Sequence, residues 1–144
     1  MNVVEAVSVA EDLLDQFGLN GWAVVLDRSK IRFGCCRHLN HTISLSYTLV
    51  SLNGREEVED VIRHEIAHAL AGQGAGHSRA WKVQCAVTGA RPQACYDVNN
   101  VVAAPSKYVL VCEPCGYRHP RHRRTKTKYI HRKCGRTLTW ERSL

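Results

Sequence analysis

The apolar positions of the first fifty residues predict one amphipathic helix followed by short strands. Between residues 3 and 17 they recur with helical spacing, Asn2 and Glu5 form a capping-box-like pair at the start, and Gly18 is a typical stop. Three later segments are apolar or alternate between apolar and polar residues, which is typical of strands: 22–26, 31–36 and 42–47. We therefore predict a small antiparallel sheet packed on helices, with the apolar first strand buried.

The longest helical pattern begins at Asn53, a predicted N-cap, and ends near Gly72. One face of this helix carries Glu65 and His68 beside its apolar residues, which is unusual for a helix that serves packing alone. A glycine-rich turn follows, and residues 77–88 predict one more helix. A weakly patterned connector comes next. We place a domain boundary at its end, which divides the chain into residues 1–104 and 105–144.

Two histidines and a glutamate on the longest predicted helix form a candidate catalytic metal site. His64 and His68 are four residues apart, so both imidazoles lie on one helical face, where they can bind one zinc ion. Glu65 can reach a water on that ion and act as general base, then as proton donor to a leaving amine. Catalytic zinc takes three protein ligands, and His77, which follows the glycine-rich turn, is the expected third. Two rival ligands precede a strand in a polar stretch and are expected on the surface: His38 and His41.

Two metal-binding knuckles near the end of the chain predict a structural zinc site. Each knuckle has two residues between its ligands, and together they supply four: Cys112, Cys115, His131 and Cys134. Three thiolates and one imidazole leave no open position, as in structural zinc sites. His119 and His122 compete for the fourth place, but only His131 gives paired knuckles. Because about forty residues are too few for a core of their own, we expect zinc to supply the missing folding free energy of this zinc ribbon.

Positive charge is concentrated in the same C-terminal segment. Residues 105–144 hold eleven Lys and Arg against two acidic residues, a net charge of +9, whereas residues 1–104 hold nine basic against eleven acidic residues, a net charge of −2. Such a block attracts polyanions, so we expect sequence-independent binding of nucleic acid, single-stranded DNA included, with Tyr117 and Tyr129 available for base stacking. The alternative is a solvated charge run that only aids solubility. The candidate phosphate-binding residues are Arg118, Arg121, Arg123, Arg124, Lys126 and Lys128.

Composition limits the class of protein. The chain has 144 residues, of which 44% are hydrophobic and 23% charged, and this balance excludes a disordered chain. No apolar run is long enough for a membrane span, and the acidic N-terminal segment is unlike a secretory signal, so we expect a cytoplasmic protein, free or associated with the nucleoid, without membrane contact. Its small size and many cations predict a monomer. Seven cysteines in such a chain favour metal ligation or buried thiols over disulfides. Those outside the knuckles are expected to be buried: Cys35, Cys36, Cys85 and Cys95.

These motifs resemble the SprT-like metalloprotease family, which includes bacterial SprT proteins and eukaryotic Spartan. The resemblance rests on residues 43–46, on 64–68, on 76–78 with Trp81, and on the C-terminal knuckles, and it extends from Trp22 to the end of the chain. It implies an α+β fold: a small zincin-like domain, with a short sheet and active-site helices, followed by the zinc ribbon. It also implies a catalytic zinc ion on the three histidines, Glu65 as catalytic base, and a DNA-stimulated activity on proteins bound or crosslinked to DNA.

The sequence therefore predicts a zinc metallopeptidase of the zincin (gluzincin-like) type that takes protein substrates and holds two zinc ions, one catalytic and one structural. Tyr47 and Tyr96 are candidates for stabilising the oxyanion, and each is equally well explained as a half-buried core tyrosine. The alternative is a non-catalytic nucleic-acid-binding or regulatory zinc protein with a vestigial zincin site. The intact Glu65 favours the enzyme, because a structural metal site has no use for a base there.

Overall fold

The computed structural model describes residues 1–144, which form two units, Met1–Ala104 and Pro105–Leu144. The first unit combines helices with a three-stranded sheet, so the mixed α+β class expected from the sequence is confirmed. Its helices are α1 (Val3–Gln16), α2 (Tyr47–Leu52), α3 (Arg55–Ala71) and α4 (Arg79–Thr88). Its strands are β1 (Ala23–Asp27), β2 (Gly34–Arg37) and β3 (Thr42–Ser46).

The sheet of the first unit is mixed, and the expectation of an antiparallel sheet is wrong for one of its pairs. The strand order is β1-β3-β2, with β3 antiparallel to β2 and parallel to β1. A short turn at residues 38–41 joins β2 to β3, and so short a connection permits only antiparallel pairing. The connection from β1 to β2 is longer, and in it Ser29 and Arg32 donate hydrogen bonds to Asp27. Strand β1 pairs with the opposite edge of β3.

Burial in this sheet is concentrated in the central strand, and the prediction that the first strand is buried is wrong. Val25 and Leu26 of β1 are 37% and 44% exposed, because β1 lies at an edge of the sheet. In β3 both faces are buried, including two serines. Ser44 donates its hydroxyl hydrogen to Asp27 at 2.5 Å and Ser46 donates to the carbonyl of Ser29 at 2.6 Å, so neither buried hydroxyl lacks a partner.

Asn53 does not cap α3, contrary to the prediction from its position. Helix α3 begins at Arg55 after Gly54, which makes no side-chain capping bond. The Asn53 amide instead donates to the carbonyls of Leu49 and Val102, at 2.8 and 2.9 Å, and its Oδ1 accepts the Val102 N–H at 2.7 Å. Asn53 therefore ends the short helix α2, which was not predicted because the strand pattern of residues 42–47 runs directly into it. The bonds of Asn53 to Val102 also fasten that part of the chain to the core.

Helix α3 contributes to both apolar clusters of the first unit. Val58, Ile62 and Ile66 are fully buried in the main core with α1 and the sheet, whereas Ala67 joins a smaller cluster with α4. A turn between the two helices contains three glycines with positive φ, at residues 72, 74 and 76. These backbone conformations are ones that other residues rarely adopt, and they reverse the chain directly after α3.

The second unit is built of short strands. The strands are β4 (Tyr108–Cys112), β5 (Tyr117–Arg121), β6 (Ile130–His131), β7 (Arg136–Thr137) and β8 (Thr139–Arg142). Three of them form an antiparallel sheet with the order β5-β4-β8, and β6 and β7, which lie between β5 and β8 in the chain, form a separate two-stranded antiparallel sheet. None of the helices in the structure has the length and apolar character that a membrane crossing requires.

Candidate metal centres and the cleft beside Glu65

Three imidazoles of the first unit converge on one point. Helix α3 presents His64 and His68 one turn apart, and the glycine-rich turn returns the chain so that His77 faces them. The Nε2 atom of His77 lies 3.1 Å from that of His68 and 3.3 Å from that of His64. Nitrogen ligands placed tetrahedrally at zinc-bonding distance are about 3.3 Å apart, so this donor set fits a zinc ion.

A buried tryptophan supports all three imidazoles. The Trp81 ring is fully buried, and its centroid lies 4.8, 5.3 and 4.6 Å from those of His64, His68 and His77. Its indole N–H has no hydrogen-bond partner, so Trp81 acts here through packing. The sequence analysis placed Trp81 in the family motif but gave it no role. Its position four residues after His77 was the available signal that the two rings lie close together.

Burial keeps two of the imidazoles neutral. Desolvation, helped by the neighbouring histidines, lowers the pKa values of His64 and His68 to about 4. A neutral imidazole has a free lone pair, which is the form that binds a metal ion.

Glu65 lies on the same helix and is turned toward β2. It is 8% exposed, and its carboxylate lies near the backbone N–H of Cys36. Burial raises the pKa of Glu65 to about 7, and the Cys36 N–H and the charge of Arg32 oppose the rise only in part. A carboxyl group with a pKa near neutrality can accept a proton in one step and donate it in the next.

The close approach of β2 to Glu65 requires a glycine at residue 34. A Cβ atom on Gly34 would lie 2.8 Å from Cγ of Glu65 and 2.9 Å from Cγ1 of Val61, distances that real Cβ atoms do not show. Sequence reasoning missed this residue. The available signal was a glycine at the centre of a predicted strand, which often marks a close approach of backbone to another group.

A cleft of about 400 Å³ opens beside Glu65 and His64. Part of its wall is the segment of residues 91–98, which is held to α3 because Arg91 donates its backbone N–H to Asp60 at 2.9 Å and pairs with Glu57 at 3.1 Å.

Of the two candidate oxyanion residues, Tyr96 lines the cleft, and its hydroxyl donates to the carbonyl of Ile31 at 3.2 Å. Tyr47 does not line it and is 56% exposed at the start of α2.

The structure does not bring the rival histidines into the metal cluster. His41 stacks on Trp22 with a centroid distance of 5.1 Å, and His38 lies 3.7 Å from the thiol of Cys36.

The expectation of buried thiols is confirmed for Cys85. It is wrong for Cys95, which is exposed because it lies in the surface segment at the cleft, and the remaining two are half-buried: Cys35 and Cys36.

The ligand atoms of the two knuckles also converge. Those of Cys112, Cys115, His131 and Cys134 all lie within 4.8 Å of one another, and this set fits a closed structural zinc site. Nδ1 is the His131 atom that faces the site, 3.4 Å from the Cys115 thiol. The backbone N–H of Tyr117 lowers the pKa of Cys115, and the Tyr117 ring stacks on His131 at 4.4 Å. The competing histidines lie outside the cluster: His119 and His122.

The six basic candidates of the second unit differ in their surroundings. Arg118 pairs with Glu141 at 3.0 Å, and the Arg121 guanidinium lies 5.1 Å above the ring of Tyr129. Tyr129 also meets Trp140 edge-on, with a centroid distance of 6.0 Å. The other four are exposed and have no acidic partner: Arg123, Arg124, Lys126 and Lys128.

The fold and the donor sets define a mixed α+β protein with a His₃ cluster and a Cys₃His cluster, each able to hold a metal ion. The model of the SprT-like family matches residues 9–100, and the chain belongs to this family. The resemblance inferred from the motifs is thereby confirmed.

Two relatives illustrate the similarity. "Protein SprT-like" of Bacillus cereus (strain AH187) is 27% identical over 132 residues, which cover 88% of this chain and 87% of that protein. "Protein SprT" of Proteus mirabilis (strain HI4320) is 30% identical over 112 residues, covering 70% and 67%. No solved structure matches the chain significantly.

We predict that the purified chain binds two zinc ions and that their removal has different effects. Cys134→Ser removes one ion and unfolds residues 105–144, because the strands there are too short to hold without the metal. His77→Asn removes the other and leaves the first unit folded, because its apolar core does not include the ligands. Metal analysis and amide hydrogen exchange measure both effects.

Cys95→Ser is the matched control, since this exposed thiol lies outside both clusters and its loss should leave two ions bound. A parent chain that binds a single ion would contradict the prediction.

Proposed function

We propose that this chain is a zinc-dependent endopeptidase that acts on DNA-associated or DNA-crosslinked proteins, and that its basic zinc ribbon binds the nucleic acid. One observation carries the catalytic part of the proposal. The Nε2 atoms of His64 and His68 lie 3.3 and 3.1 Å from that of His77, with the buried Glu65 adjacent and a cleft open beside it. Family membership supports the same conclusion.

The residues of the first unit have separate roles in this mechanism. His64, His68 and His77 would hold the zinc ion, which supplies Lewis acidity and a lowered pKa for water. Glu65 takes a proton from the attacking water as its oxygen bonds to the peptide carbonyl carbon. As the carbon–nitrogen bond breaks, Glu65 gives that proton to the leaving amine. The close approach of β2 at Gly34 holds the carboxylate in place for both transfers.

The first unit also offers a surface suited to an extended chain. Strand β2 carries Gly34 of the cleft wall, and it has a strand neighbour on one side only. The free edge of a strand can pair with a peptide through backbone hydrogen bonds, which do not depend on the peptide's sequence. This favours a protein substrate over a small molecule.

The second unit supplies the attraction to DNA. Its net charge is +9, and four exposed cations of residues 123–128 have no acidic partner to neutralise them. Phosphate contacts of this kind are independent of base sequence. Binding the same DNA as a substrate protein raises the effective concentration of that protein at the protease, which explains why a small enzyme would carry such a segment.

We predict that Glu65→Gln abolishes cleavage while both zinc ions stay bound. The amide keeps the size of the side chain but cannot take the proton, and general-base catalysis contributes about 10²–10⁴-fold to a rate. The assay follows cleavage of a DNA-binding protein by the zinc-loaded chain, with and without single-stranded DNA, which should stimulate the parent enzyme. Undiminished cleavage by the variant would reject Glu65 as the base. An inactive parent with two bound ions would favour the non-catalytic nucleic-acid-binding protein.

We predict that Gly34→Ala lowers kcat at least about tenfold without loss of zinc, because the new methyl group displaces the Glu65 side chain and a small misplacement of a catalytic group is costly. The matched control is Gly54→Ala. Gly54 has an ordinary φ of −76°, and a Cβ atom there meets nothing within 4 Å. Equal kcat values for the two variants would show that the approach of β2 does not position Glu65.

We predict that replacing the four unpaired cations of residues 123–128 with serine weakens DNA binding and reduces its salt dependence. Each lost phosphate contact on a single strand removes about 0.7 from the slope of log K against log salt, so four contacts remove about 3. The matched control removes four exposed charges from the first unit: Arg28, Lys30, Arg37 and Lys82. Equal slopes for the two variants would assign DNA binding to net charge alone.

A further inference from the structure

The cleft beside Glu65 has apolar side chains on its walls. Ile31 and Phe33 come from the chain before β2, Val61 comes from α3, and Tyr96 and Val98 come from the segment of residues 91–98. Ile31 and Val98 are 72% and 77% exposed, which is high for large apolar residues. A single exposed valine or isoleucine is common, but two at one cleft form a surface that gains from being covered.

The charged residues that line the cleft have partners of opposite charge. Arg32 pairs with Asp27 at 3.3 Å. Arg91 pairs with Glu57 at 3.1 Å and also binds Asp60 through its backbone N–H. Apart from Glu65 at the metal centre, the lining therefore offers no uncompensated charge that would select a charged side chain of a substrate.

The volume of the cleft is suited to one large side chain with its adjoining backbone. It measures about 400 Å³, near the lower end of the range for small-molecule sites. Because Glu65 and His64 also line it, a side chain held there belongs to a residue next to the bond being cleaved.

We infer that this cleft is a specificity pocket that accepts a bulky uncharged side chain, aromatic or branched aliphatic, from the substrate residue adjoining the scissile bond. This inference rests on the proposed peptidase function and names the class of peptide that the site takes. An apolar pocket distinguishes side chains by about 10-fold or more for each methylene that it buries. Peptides with Phe or Leu at that position should therefore be cleaved at least about tenfold faster, in kcat/KM, than those with Ser or Asp.

The first experiment measures this preference. The zinc-loaded chain cleaves a library of peptides derived from a whole proteome, and sequencing of the products should show large apolar residues enriched at one fixed position beside the cut. Val98→Asp places a carboxylate on the cleft wall and should reduce the enrichment about tenfold. Val98 lies in an exposed turn, so the variant folds. Val87→Asp, at a valine of α4 that is 55% exposed and outside the cleft, should retain the preference.

The second experiment measures occupancy of the pocket without turnover. Cys95 is exposed and lines the cleft, so its rate of alkylation by iodoacetamide reports on a bound side chain. The probes are acetyl-Gly-Gly-Phe-Gly-Gly-amide and the same peptide with Ser in place of Phe, added to the zinc-loaded Glu65→Gln variant. Mass analysis of the Cys95 peptide should show slower alkylation with the Phe peptide alone, and Val98→Asp should abolish this protection.

The outcomes separate the pocket from the proposed function. Protection of Cys95 by the Phe peptide in a chain whose parent cleaves nothing would support the pocket and reject the protease. Cleavage of Phe, Ser and Asp peptides at equal rates, without protection of Cys95, would overturn the pocket and leave the protease standing.

Discussion

The first unit depends on the contact between α3 and β2 at Gly34. The strand can lie against the helix only because residue 34 has no side chain, and the contact buries Glu65 beside the Cys36 N–H. The same helix buries Val58, Ile62 and Ile66 in the main core, so the packing that stabilises the domain also fixes the carboxylate relative to the histidines. Catalytic groups need to be held by rigid elements, and here one helix is shared by the core and the site.

The two candidate metal centres differ in how the structure around their ligands is built. His64 and His68 stand on α3 and His77 on the turn before α4, the main apolar core includes none of them, and Trp81 supports their rings by packing. In the second unit each knuckle has its first ligand at the end of a short strand and its second in the turn that follows, with Gly116 and Gly135 at positive φ directly after the second ligand. We therefore expect loss of a ligand to affect only metal binding in the first unit but also folding in the second.

Much of the candidate site could be predicted from sequence because its signals are local. The four-residue spacing of His64 and His68 places both side chains on one face of a helix, and paired knuckles leave little freedom in the choice of ligands. The elements that were predicted wrongly depend on distant partners. The pattern of residues 22–26 is the same for a buried strand and for an edge strand, and Asn53 suits a helix N-cap as well as the bonds it makes to Val102.

The sequence by itself determined the α+β class, the family and the residues able to bind metal, because composition, helical period and ligand spacing are properties of neighbouring residues. Tertiary structure alone decided that Gly34 must be a glycine, that Trp81 supports the three histidines, and that Ile31, Tyr96 and Val98 share a cleft with Glu65. These residues lie far apart in the chain, and no periodicity links them. Only the packing of α3 against β2, α4 and the segment of residues 91–98 brings them together, because chain folding sets distances that sequence separation does not encode.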